Sequence, residues 1–284
     1  HGDAHPNGPG YSEEEIDNKI NGEWKVEKQF TQLGSFLRAN DPENKLAIDG
    51  DFTIFGYIYP TTPKTGHHQW IFSRWDNKTN EGYGIGINKD GYLELVVGDG
   101  QEVDYLVSEL PIVKKVWYFV AATFNYKTGK ASLYQEDVLN RYNSLLGKVV
   151  PYDYRSHTAT TFRFKQKNSD NTPFIVSGAE DLHELRGNFI SGIYAGKVDR
   201  HGVCNRVLSR EELDKVRAGE LPEKNSIIAY WDTTVGFSEN GINNTVIDIG
   251  PNQLNSEGHN HPVRAMTGWN WNGKNDNFRL APNE

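Results

Sequence analysis

The sequence predicts an all-β fold: two antiparallel sheets packed face to face, with one short helix near residues 209–218. Three observations lead there. Short segments rich in β-branched and aromatic side chains recur from Trp24 onward, with turn residues between them. Aromatic residues make up 12% of the 284, which suits pleated, half-buried strands. The 28 glycines and 12 prolines supply the many turns such strands need. A chain of this length buries a sizeable core, and sandwiches of this size form as one domain.

Taken in order, residues 1–23 read as an N-terminal linker or arm, Gly/Pro-rich and then acidic at Glu13–Glu15. Residues 24–257 carry the sandwich. Within it, Phe52–Tyr59 and Gln69–Trp75 read as strands. Tyr83–Asn88 and Tyr92–Val97 form a hairpin around Lys89-Asp-Gly91, because an Asp-Gly pair between alternating segments is a strong hairpin signal. Trp117–Phe124 is the most apolar segment and is expected to be a central strand; it turns at Lys127-Thr-Gly129 into Lys130–Tyr134. The stretch Gln135–Asn171 reads as a polar insertion with one strand near Thr160–Phe164. Strand pattern returns at Pro173–Gly178, Asn188–Val198 and Ser226–Asp232. Ser209, with Glu212 three residues on and Gly219 after the last periodic position, has the signature of a capped helix. Residues 258–284 lack periodicity and read as an extended tail.

The formal net charge is −8 and no Lys/Arg block stands out, so binding to a nucleic-acid backbone has no electrostatic basis. The longest apolar run, Val116–Phe124, is far short of the roughly 20 residues a membrane helix needs. Neither nucleic acid nor membrane is an expected partner, and a cytoplasmic location is expected because no signal peptide is visible. The single cysteine, Cys204, allows no internal disulfide and reads as a buried small hydrophobe.

Several of these segments carry a resemblance. Phe52-Thr-Ile, Trp70-Ile-Phe-Ser, Tyr83-Gly-Ile-Gly-Ile, Trp117–Phe124 and Tyr194-Ala-Gly-Lys-Val-Asp199 resemble the strands of concanavalin A/laminin-G-like jelly rolls. Asn205–Leu213 is similar to the segment that closes many such domains. The flanks Asn7-Gly-Pro-Gly10, His261–Trp271 and Phe278–Pro282 resemble the large (β) subunits of bacterial N,N-dimethylformamidases. That resemblance implies a large amidohydrolase in which the sandwich lies beside a separate, iron-dependent catalytic domain. The tail at 258–284 would lead into that domain. No catalytic or iron-ligand residue transfers onto this sequence. The expected partners are the catalytic domain or subunits of the larger enzyme.

The candidate ligand-binding or interface residues are His67, His68, Trp70, Trp75, Trp269 and Trp271. Exposed aromatics beside polar groups mark contact centres, with core packing as the alternative for each tryptophan. Adjacent histidines on an extended chain point apart, so His67 and His68 make an awkward metal pair. A lectin-like glycan site would draw on loops 61–68, 76–82 and 178–188. Asp199 is the candidate ligand for structural calcium, since similar jelly rolls often place an oxygen ligand there; a turn or capping role is the alternative. Glycoside hydrolysis needs two carboxylates on one face. Glu102 and Asp104 have that spacing, but Glu109 sits at odd offset from both, and solvated edge acids are the simpler reading. His1 with His5 is a weak copper cue, and Glu180–Glu184 lacks the spacing of a zinc helix. No complete catalytic set is present in the sequence, so catalytic residues are expected to lie outside it.

Overall fold

The computed structural model describes residues 34–138, 155–169, 172–183, 187–235, 244–260, 262, 264 and 268–270. The chain runs β1 (Phe36–Ala39), β2 (Phe52–Pro60), β3 (Gln69–Asp76), β4 (Glu81–Ile87), β5 (Tyr92–Asp99), β6 (Val103–Pro111), β7 (Tyr118–Phe124), β8 (Lys130–Asp137) and β9 (Ser156–Thr161). It continues through β10 (Ile175–Val176), β11 (Ala179–His183), β12 (Gly187–Ser191), β13 (Gly196–Cys204), helix α1 (Arg210–Arg217), β14 (Ile227–Trp231), β15 (Thr245–Val246) and β16 (Ser256–His259). One sheet has the order β14-β13-β2-β7-β8-β9. The other follows β15-β16-β1-β10-β3-β4-β5-β6, with β11 and β12 attached beside β3. Ten strands face six, and the expected two-sheet sandwich is the observed one.

The core lies between the sheets because period-two alternation sends one set of side chains inward. In β4, Tyr83, Ile85 and Ile87 enter the core; β5 sends Leu93, Leu95 and Val97 to the same layer. Asn88 builds the β4–β5 turn, its side-chain oxygen accepting from the backbone N–H groups of Asp90 and Tyr92 at 3.0 Å each. Strand β7 is central and wholly buried, between β2 and β8. The strand expected near 160–164 begins earlier, at Ser156, and β16 runs past residue 257 to His259, which pairs with Phe36.

Both open edges of the sandwich are laced. At one, the Glu109 N–H donates to Ser156 Oγ (2.9 Å), and Asp104 Oδ2 accepts from the backbone of Arg163 (2.6 Å) and Phe164 (3.0 Å). At the other, the buried Asp248 carboxylate accepts backbone N–H groups of Tyr230, Gly250 and Leu254 at 2.7–2.8 Å. These bonds occupy groups that an open sheet edge would leave exposed.

Helix α1 begins at a complete capping box. The Glu212 N–H donates to the Ser209 hydroxyl, and the Ser209 N–H donates to the Glu212 carboxylate. It ends where Gly219 adopts φ +96°, with Gly219 N–H bonded to Val216 O and Glu220 N–H to Lys215 O. Leu213 and Val216 press onto the outer surface of the six-stranded sheet, against Phe55, Tyr57, Trp117, Phe119 and Cys204. This second apolar layer explains why β2 is buried on both faces. Cys204 is buried as expected, and burial pushes its thiol up to about 12. No helix among the described residues is long and apolar enough to cross a membrane.

Candidate interaction surfaces

On the outward face of the ten-stranded sheet, β4 presents only Gly82, Gly84 and Gly86, and β5 adds Gly98. Rings from β3 and the segment before it lie in the space these glycines leave. A Cβ at Gly84 would come 2.9 Å from the Trp70 ring, one at Gly98 2.6 Å from Trp75, and one at Gly86 2.4 Å from His68 Nε2. The Trp70 and Trp75 rings stack with centroids 5.4 Å apart, and His68 stands 4.2 Å from Trp70. Trp75 donates its indole N–H to Asn77, and Asn77 donates to Ser191. The exposure expected of Trp70 and Trp75 is therefore corrected: they are 5% and 3% exposed, sealed against a glycine floor. His67 is exposed while His68 turns inward to Glu94, Nδ1 to Oε1 2.6 Å, so the two histidines point apart. The aromatic this face does expose is Tyr105, 57% accessible, beside Val107 on β6. Sequence reasoning passed over it, although alternation of Val103, Tyr105 and Val107 against Leu106 and Ser108 was the available signal.

The outer face of the six-stranded sheet holds the other candidates. Tyr57 donates its hydroxyl to Arg217 O (2.6 Å), tying β2 to the end of α1. Its ring stacks on Trp269 at 4.3 Å with the planes 1° apart. Asp199 is Tyr57's cross-strand partner and is 4% exposed. Asp199 Oδ1 accepts the Thr233 hydroxyl at 2.6 Å, and Oδ2 accepts the Trp269 backbone N–H at 3.4 Å. Burial holds the Asp199 carboxyl above its usual range, opposed by the Thr233 bond and by Arg200. Trp271 lies outside the described residues.

A calcium ion needs six to eight oxygen ligands. Among the described residues no three His, Cys, Asp or Glu side chains converge, and the nearest charges to Asp199 include the Arg200 guanidinium. Both Asp199 oxygens are engaged, by the Thr233 hydroxyl and by the Trp269 backbone N–H. Asp104 is likewise committed to the backbone of residues 163–164. Of the Glu180–Glu184 cluster, Glu180 forms a long ion pair with Arg38 (3.9 Å), and Glu184 lies outside the described residues. On the far side of α1, buried Glu136 is met by His157 Nε2 (2.6 Å), Arg217 Nη1 (3.1 Å) and Arg210, which clamps the helix to β8 and β9.

Residues 34–174 match the family described as the concanavalin A-like lectin/glucanases superfamily. A candidate carbohydrate-binding protein from Bacteroides ovatus shares the fold with a TM-score of 0.55 at 15% identity, over 79% of this chain and 55% of that one. At that identity the likeness is one of fold alone. In sequence, the whole chain is similar to the N,N-dimethylformamidase β subunit of an Alcaligenes species, 32% identical over 286 residues, and to that of Paracoccus aminophilus, 33% identical over 287. The chain spans 37% of the length of each of these relatives.

Proposed function

We propose that this chain is a noncatalytic jelly-roll module of a dimethylformamidase-like amidohydrolase large subunit, whose role is to pack on the catalytic portion or on partner subunits. The observation that carries the reading is that all of the chain aligns with β subunits of this enzyme while spanning only 37% of them. Amide hydrolysis and the iron that serves it then belong to the rest of the polypeptide. The test is release of dimethylamine from N,N-dimethylformamide, with iron supplied, by the 284-residue chain and by a polypeptide of the relatives' length. Turnover by the longer one alone supports the module; turnover by this chain, lost on chelation, overturns it.

A second reading, glycan binding, is favoured by exposed Tyr105 standing beside the Glu94–His68 pair on one sheet face. A glycan array without hits, with and without calcium, removes it.

A further inference from the structure

We propose that the outer face of the six-stranded sheet is the side through which this module is rigidly joined to the remainder of a dimethylformamidase-type β polypeptide, with Tyr57, Asp199 and Trp269 forming the joint. The inference rests on the proposed module role and adds to it the face and the residues.

Two separate attachments hold the segment that follows β16. The first is Arg264. Its guanidinium donates to the carbonyls of Val235 (2.8 Å), Thr233 (3.4 Å) and Thr245, so one side chain satisfies acceptors from the two segments flanking the sheet edge. The second is Trp269, coplanar with Tyr57, its backbone N–H on Asp199 and the Arg200 guanidinium 5.8 Å from its ring. Gly268 fits because a Cβ there would stand 2.6 Å from Asp199 Oδ2. Asp199 has no competing solvent role: it is buried, and Thr233 fixes its orientation.

A flexible linker would make none of these contacts, since its reach depends on remaining unpinned. Here the backbone is bound at 269 and the side chains are held at 264 and 269, and Trp269 sits on the same face that α1 covers. The apolar layer under α1 reaches the surface at half-buried Tyr59 and Tyr134 as well as Trp269, so the face has more ring surface to offer a continuing chain. The relatives are longer than this chain, which accounts for 37% of their length.

The experiment uses two variants of the joint, Trp269→Ala and Asp199→Asn, and Tyr105→Ala on the opposite sheet as control. Asn keeps the volume and one acceptor of Asp199, so it serves should Trp269→Ala unfold. In the 284-residue chain, tryptic cleavage after Arg264 and amide exchange at residues 268–270 should both accelerate about tenfold in the joint variants, the loss expected of a stacked aromatic pair. In a polypeptide of the relatives' length, small-angle scattering should show a wider distance distribution for the same variants and none for Tyr105→Ala. Unchanged cleavage and exchange would overturn the joint. Faster cleavage with unchanged scattering would overturn its role in orienting the module. Dimethylamine release by the 284-residue chain would instead sink the noncatalytic reading, and is scored separately.

Discussion

Replacing His201 with phenylalanine should flatten the acid side of this protein's stability profile. The His201 ring is 1% exposed, stacked 5.3 Å from Phe72 and 5.0 Å from Trp231 inside the core. Neither ring nitrogen has a hydrogen-bond partner among the described residues. Burial alone pushes its pKa down to about 3, from 6.5 in the unfolded chain. The native state therefore holds His201 neutral while the unfolded state takes up a proton below pH 6.5, so stability is full above that pH and drains away as pH falls toward 3. Each pH unit in that window removes about 1.4 kcal/mol, so roughly 2 kcal/mol should be lost between pH 8 and pH 5 through this residue. Asp199, Glu180 and Asp248, whose carboxyls burial raises, act in the opposite sense, but they are common to both proteins and cancel in the comparison. Urea unfolding followed by tryptophan fluorescence at pH 5, 6, 7 and 8 measures the difference. Parallel profiles for wild type and His201→Phe, or a His201 resonance titrating near pH 6.5 in the folded protein, would refute the reasoning.

Three other perturbations follow from the same contacts. Gly84→Val should destabilise by about 2–3 kcal/mol and red-shift the tryptophan emission, because the new side chain meets Trp70 at 2.9 Å and the Phe72 carbonyl at 2.8 Å; an unchanged spectrum and midpoint would contradict the glycine floor. Glu136→Gln should weaken the hold on α1 by about 2 kcal/mol, since the carboxylate charge that faces Arg217 and Arg210 is lost, and faster amide exchange in residues 210–217 is the readout. Gly219→Ala should lower stability by about 1 kcal/mol, the strain of placing a Cβ at φ +96°, with the helix signal in circular dichroism otherwise kept.

The sequence by itself determined what local chemistry determines. Tyr83-Gly-Ile-Gly-Ile87 declares a strand and its two faces, because alternation is a property of the extended backbone. Ser209, Glu212 and Gly219 declare both ends of a helix, because caps are satisfied within a few residues. Trp117–Phe124 declares a central strand because it has no polar face to give to water. What the tertiary structure decided involves pairs far apart in the chain. Trp70 and Trp75 read as contact aromatics until β4 and β5 are laid beside β3 and their glycines come under the rings. Asp199 finds its partners only in the fold, where Thr233 and Trp269, 34 and 70 residues away, reach its two oxygens. Strands β10 and β15 are two residues each, too short for any periodicity, and exist only because neighbours hold their backbones in register. His201 lies at a β-bulge that alternation does not predict, and only the closed sandwich sets it between Phe72 and Trp231. Sequence fixes which face a side chain takes; what covers that face depends on register and on segments that return from a distance, and burial, charge and partner all follow from the cover.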